Sequence, residues 1–230
     1  MFKIKVTLLS HTPEPEKVVA SAARLCYSTK CGAEIMDNFS AEEIEKFLTR
    51  LRSLGHLSPF EHASFTFAID GVSRVLSHQL VRHRIGTSYS QKSQRYVKEG
   101  QFEYTVPDSI ASNQQQKAVF EQTMTYLQDR YNELLAAGIP AEDARYLLPN
   151  ACTTNLVVTM NARSLLHFFE LRCCMRAQKE IRQLADLMLA EVSKIAPLLF
   201  VNAGAPCKSI GICFEGDLSC GMAKNIKLRR

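Results

Sequence analysis

The chain opens on strict alternation, with Phe2, Ile4, Val6 and Leu8 apolar and Lys3 and Lys5 between them. That period of two predicts a half-buried strand. The period then lengthens. In "HTPEPEKVVASAARLCY" prolines stand where a helix would start, and Val18, Val19, Ala22, Leu25 and Cys26 follow at helical spacing. "SAEEIEKFLTRLRSLG" carries the fullest helical signal: Ser40 and Glu43 form a capping box, Ile44, Phe47, Leu48, Leu51 and Leu54 line one face, and Gly55 ends it. Phe65, Phe67 and Ile69 restore the period of two and predict a second strand. "GVSRVLSHQLVRHR" returns to helical spacing through Val72, Val75, Leu76, Gln79 and Leu80, which puts the basic triplet Arg82, His83, Arg84 at a helix end. From Gly86 to Lys92 no period is visible, so a loop is expected there, leading into a short strand around "QRYV".

Downstream, Phe120, Leu127, Tyr131 and Leu134 predict a long helix stopped by Gly138. Pro140 opens a short helix, "AEDARYLL", closed by Pro149. "NLVVTM" reads as a strand, and residues 161 to 196 read as a largely helical stretch with Leu165, Phe168, Phe169, Ile181, Leu184, Leu187 and Met188 apolar. The sum is an α+β fold: a single domain with a small, mainly antiparallel sheet packed against several long helices. A length of 230 residues suits one core, placed at 1–202, with 203–230 as a Gly- and Cys-containing basic tail.

Composition narrows this picture modestly. The excess of 28 Lys+Arg over 23 Asp+Glu, a net charge of +5, fits an anionic small ligand as well as a polynucleotide. The N-terminal segment lacks the continuous apolar core of a signal peptide, and no apolar run approaches the roughly 18 to 20 residues of a membrane span. A soluble, cytoplasmic protein with no membrane partner is expected. In that compartment the eight cysteines are read as reduced thiols. Cys173 and Cys174 read as helical neighbours, badly placed to bridge each other, and Cys207, Cys213 and Cys220 are spaced more widely than zinc-binding pairs. No metal site is expected.

The candidate chemistry lies in "RHRIGTSYSQKSQRY", residues 82 to 96, which holds Arg82, His83, Arg84, Lys92 and Arg95 among hydroxyls and two tyrosines, without a carboxylate. The triplet alone answers a helix dipole. Ser88, Ser90, Ser93 and Arg95 add donors and still no acid, and unpaired cations predict an anion: arginine forks grip phosphate oxygens while hydroxyls and loop amides fill the remaining acceptor positions. A second cluster comprises Arg145, Asn161, Arg163, His167 and Arg172, in which Asn161 also reads as an N-cap and Arg163 as a surface residue. Two other classes stay open. A nucleic-acid module would use Lys92, Arg95, Lys98 and the terminal "KNIKLRR" with Tyr89 and Tyr96 as stacking rings. A zinc hydrolase would use His56, His62, His78 and His83, but H-E-x-x-H is missing.

"GHLSPFEH", "HQLVRHR", "RHRIGTSYSQKS" with "QRY", "ARYLLP" and "NARSLLHFFELR" occur in this order, and together they resemble the flavin-dependent thymidylate synthases, from "AARLCYS" to the long final helix. Ile85 through Lys92 place eight residues between the triplet and Ser93, one more than the family's usual spacing, with the insertion near Gly86 or Thr87. The resemblance implies synthesis of dTMP from dUMP, with 5,10-methylenetetrahydrofolate and NADPH as co-substrates, FAD as cofactor, and a homotetramer that shares its active sites. It implies that Gln79, Leu80, Val81, Arg82, Gln91, Lys92, Ser93, Gln94, Arg95, Arg145 and Arg172 hold dUMP. It assigns FAD to Ser58, Arg82, His83, Arg84, Gln91, Asn161, Ala162, Arg163 and His167. Arg172 takes the catalytic role of stabilising an ionised uracil, and Ser93 that of an orienting hydroxyl.

Overall fold

The computed structural model describes residues 3–223 and 225–227. Phe2 and, in the basic terminus, Lys224, Leu228, Arg229 and Arg230 lie outside the described residues. In chain order the elements are β1 (Lys5–His11), α1 (Pro15–Leu25), α2 (Gly32–Asn38), α3 (Ala41–Ser53), β2 (Ser64–Ser73), α4 (Arg74–Leu80) and β3 (Thr87–Gln91). There follow α5 (Asp108–Ala111), α6 (Gln114–Ala136), α7 (Ala141–Ala144), β4 (Thr153–Asn161), α8 (Ala162–Arg172), α9 (Lys179–Ile195), α10 (Pro197–Phe200) and α11 (Pro206–Ser209). The fold is α+β, with a four-stranded antiparallel sheet in the order β1-β2-β4-β3. A separate parallel pair joins Ile212–Cys213 to Asn225–Ile226.

Two compact units divide the chain, and neither is contiguous in sequence. The first comprises Met1–Lys5, Ala68–Arg82 and Tyr89–Val157; the second comprises Val6–Phe67, His83–Ser88 and Val158–Arg230, and so includes residues 203–230.

In the first unit Ile69, Val72, Leu76, Leu80 and Tyr131 are fully buried, and Phe102, Met124 and Cys152 form a cluster against which Phe120 and Leu127 of α6 pack. In the second unit α1 packs on α2 and α3, and α8 on α9. Phe65, Phe168, Phe169 and Phe200 form an aromatic chain there, Phe65 meeting Phe200 at 5.5 Å and Phe169 meeting Phe200 at 6.0 Å between ring centroids. Each such buried ring contributes roughly 2–3 kcal/mol of transfer free energy. The capping box on α3 forms as expected, Ser40 Oγ accepting from Glu43 N. Leu25 and Leu54, placed on apolar faces by spacing, are exposed instead.

Three further expectations change, and one helix goes unforeseen. The strand after the triplet lies at Thr87–Gln91 and not around "QRYV", which is a turn. Its inward residues are Thr87, Tyr89 and Gln91, so the period of two is present in burial but hidden from a hydropathy pattern. The basic triplet does not end α4: the helix stops at Leu80 and the triplet lies past its cap, Val81. Residues 161–196 are largely helical as expected, in two helices broken between Arg172 and Lys179, and Gln178 caps the second through Oε1. The apolar stripe explains the break: over twelve residues a continuous helix would carry Ile181 about 120° away from the face set by Phe169. Cys173 and Cys174 therefore lie in a bend and are not helical. Finally, α2 has no counterpart in the apolar spacing.

Candidate active site

In the second unit, α8 starts at Asn161, whose Oδ1 accepts from Ser164 N at 2.8 Å. The same two residues anchor the turn after the triplet. Ser164 Oγ donates to the Ile85 carbonyl at 2.6 Å, and Asn161 N donates to the Gly86 carbonyl at 3.0 Å. Gly86 has φ +64°, and a Cβ there would run into Asn161 Nδ2 and come within 2.5 Å of Ser164 Oγ. Thr87 Oγ1 closes the turn by donating to the His83 carbonyl at 2.6 Å.

This anchored turn carries His83 to the side of α8. Its ring lies 5.0 Å from that of Phe168, edge to face, and 6.3 Å from that of His167. Arg172 Nε donates to His83 Nε2 at 3.0 Å. A nitrogen that accepts is unprotonated, and the surroundings keep it so: burial first, then the charges of Arg172 and His167, hold the pKa of His83 down to about 4. The neutral ring carries its proton on Nδ1. Burial also lowers the pKa of Arg172 from the ordinary guanidinium range.

Others in this unit are already engaged. Arg163 Nη1 pairs with Glu61 Oε1 at 2.5 Å, and His167 Nδ1 lies 3.7 Å from Glu170 Oε2. Ala162 is fully buried, its N–H donating to the Ala63 carbonyl at 2.8 Å. Ser58 and Arg84 are exposed, and Arg84 has no carboxylate at ion-pair distance among the described residues.

The first unit holds Gln79, Leu80, Val81, Arg82, Gln91, Lys92, Ser93, Gln94, Arg95 and Arg145. Ser73 caps α4, its Oγ accepting from Leu76 N at 3.0 Å, and fully buried Leu80 receives the Tyr89 hydroxyl at its carbonyl at 2.9 Å. Gln91 Nε2 donates to Thr154 Oγ1 at 3.3 Å, and Gln94 Nε2 donates to Cys152 Sγ at 3.6 Å. Ser93 Oγ accepts from Arg95 N at 3.2 Å, which leaves its own proton to donate.

The expectation that these cations lack acids is overturned. Arg95 sends Nε and Nη2 to Glu142 Oε2 at 3.0 and 2.8 Å, and Lys92 Nζ lies 2.8 Å from Glu99 Oε1. Arg145 Nε donates to the Glu142 carbonyl at 3.1 Å. The acids are distant in sequence, so only folding delivers them. Arg82 is exposed without such a partner among the described residues.

Sequence reasoning passed over Glu142, Glu99, Glu61 and Arg74. Arg74 Nη2 donates to the Lys92 carbonyl at 2.9 Å while its Nε is buried without a hydrogen bond. Its one signal was its place at the head of the short amphipathic helix "RVLSHQL". Burial raises the thiols of Cys152 and Cys173, to about 11 and about 12, so both stay protonated at neutral pH. Among the described residues no group of three or more His, Cys, Asp or Glu could hold a metal ion, and no helix is long and apolar enough to cross a membrane.

Comparison with known proteins bears on these clusters. Residues 7–198 match the family described as thymidylate synthase complementing protein. The flavin-dependent thymidylate synthase of Geobacter sulfurreducens is 52% identical over 226 residues, 97% of each chain. That of Clostridium tetani is 50% identical over 240 residues, covering 97% of this chain and 96% of the relative. The crystal structure of the UMP/dUMP methylase PolB from Streptomyces cacaoi, bound with 5-Br dUMP, superposes with a TM-score of 0.76 at 26% identity, over 89% of this chain and 97% of that one. A match over most of the chain, to relatives of this identity, means that the chain belongs to the flavin-dependent thymidylate synthase family.

Proposed function

We propose that this enzyme makes dTMP from dUMP by reductive methylation, with a methylene from 5,10-methylenetetrahydrofolate and a hydride from NADPH through bound FAD. The observation that carries this reading is a guanidinium, Arg172, aimed by a neutral imidazole, His83, at 3.0 Å. Uracil C5 is a weak nucleophile, and electron density reaches it when the N3 proton leaves. A fixed guanidinium stabilises the resulting ring anion and is too weak an acid to serve as a base in its neutral form. Because His83 takes only Nε, the two terminal nitrogens of Arg172 remain for the substrate.

Ser93 positions the nucleotide as a hydroxyl donor. Arg82, Arg95 and Arg145 hold its phosphate, Arg95 exchanging Glu142 for the ligand. Gln79, Val81, Gln91, Lys92 and Gln94 complete that contact surface, with fully buried Leu80 supporting it from behind. FAD fits the other residue set, since exposed Arg84 lacks an acid partner and Asn161, Ala162, Arg163 and His167 occupy the first two turns of α8 with its cap. When bound, the flavin supplies the redox and one-carbon chemistry, while the protein supplies position and charge. A homotetramer working in the cytoplasm, with subunits that share sites and with residues 1–202 as the synthase domain ahead of a 203–230 tail, completes the proposal.

The test is an absorbance spectrum of the purified protein, then anaerobic NADPH, then dUMP with the folate donor. Flavin colour, bleaching and dTMP release are expected. A protein that takes up no flavin, or that bleaches and releases no dTMP, ends the reading.

A further inference from the structure

The last turn of α1, the loop after it, α2 and α3 line an open cavity of about 640 Å³ in the second unit, apart from every residue assigned above. That volume lies in the range of small-molecule sites. Four cations, Arg24, Lys30, Lys46 and Arg50, line it against two acids, Glu34 and Glu43. Both acids are occupied. Glu34 lies 3.4 Å from Lys30 Nζ. Glu43 accepts from Ser40 N at 3.0 Å and from Ser40 Oγ at 2.8 Å, and these bonds, with weaker attraction from Arg24 and Lys46, hold its carboxyl below the usual range.

Lys46 is drawn to Glu42 at 2.6 Å. Arg24 and Arg50 are left without a carboxylate at ion-pair distance among the described residues. Three aromatic rings share the wall with small polar residues and Ile35: Tyr27 is 72% exposed, and Phe39 and Phe47 pair at 6.1 Å. Exposed ring faces stack a planar heterocycle, and two unpaired guanidinium forks beside them grip phosphate.

We propose that this cavity binds an adenosine-phosphate moiety, its ring against Tyr27 and its phosphates between Arg24 and Arg50. The inference rests on the proposed function, which calls for two dinucleotides carrying that moiety, NADPH and FAD. Folate fits less well, because its carboxylates stand a long linker away from its ring system.

The double variant Arg24→Ala/Arg50→Ala and the single variant Tyr27→Ala test it, with thermal melts to verify folding. Three readouts run in parallel: KM for NADPH at saturating FAD, FAD affinity by fluorescence titration, and dTMP formation with dithionite replacing NADPH as reductant. If NADPH is the occupant, its KM rises about tenfold or more in the double variant while dithionite-driven turnover is unchanged. If FAD is the occupant, its affinity falls by a comparable factor. Both values within about twofold of wild type overturn the site. Should wild-type protein make no dTMP even with dithionite, the proposed function fails and the cavity is judged by calorimetry with ADP. Binding that the double variant abolishes supports the site; equal binding, or none, overturns it.

Discussion

Two arginines of this enzyme are held in opposite ways. Arg95, in the first unit, sends two nitrogens to one carboxylate oxygen of Glu142, and both side chains are about half exposed. Arg172, in the second, is held by an imidazole that has no charge to give it. A carboxylate orients a guanidinium and cancels it; a neutral imidazole orients it and leaves the charge for a substrate. An exposed pair such as Arg95–Glu142 contributes little to stability, about 0–1 kcal/mol, and is easily exchanged for a phosphate. The Arg172–His83 contact is half-buried, with the Phe168 ring against the imidazole.

The sharpest way to break the contrast is Arg172→Ala. Loss of a charge made useful only in the transition state predicts a fall in dTMP formation of about a thousandfold or more, with FAD still bound. Turnover near wild type, measured by dTMP release, removes Arg172 from the chemistry.

His83→Ala should follow, with kcat lowered about 10- to 100-fold and partial rescue in His83→Gln, whose amide oxygen can accept from Arg172 Nε. A pH signature separates this from general damage. The folded pKa of His83, about 4, lies below its ordinary value of 6.5, so between these limits the unfolded chain binds a proton that the folded one does not. Stability therefore rises with pH across that window, is complete above it, and is lost as pH falls through it. Melting curves of His83→Gln should show a flatter acid limb; an identical limb would assign the dependence elsewhere.

Gly86→Ala tests the turn that carries His83. A left-handed residue facing Asn161 and Ser164 has no room for a methyl group, and a loss of about 2–3 kcal/mol by chemical denaturation is expected. Ser93→Ala should raise KM for dUMP about tenfold with little change in kcat. The smallest effect is Glu142→Gln: with Arg95 no longer cancelled, dUMP should bind a few-fold more tightly at low salt, the gain shrinking as salt is added. Weaker binding there would mean that Glu142 positions Arg95 for the nucleotide instead of competing with it.

Most of the long elements were legible because apolar periodicity is written locally. Ile44, Leu48 and Leu51 on α3, Phe65, Phe67 and Ile69 on β2, and Tyr131 on α6 all reach the core from the faces that their spacing named. β3 was not legible, since its inward residues are Thr87, Tyr89 and Gln91. The motifs led to Arg172, Ser93 and Arg95 as residues, and could not supply their partners. Glu142 lies 47 positions from Arg95, and Glu61 lies 102 from Arg163. No spacing rule spans such gaps, and the absence of acids inside residues 82 to 96 was read as an absence of acids altogether.

The sequence alone determined the α+β class, the family and the identities of the candidate site residues, because residue type, local period and motif order are properties of a one-dimensional string. Tertiary structure decided which cations keep their charge available, because a neutral His83 and a charged Glu142 differ in burial and in neighbours that only the folded chain brings near.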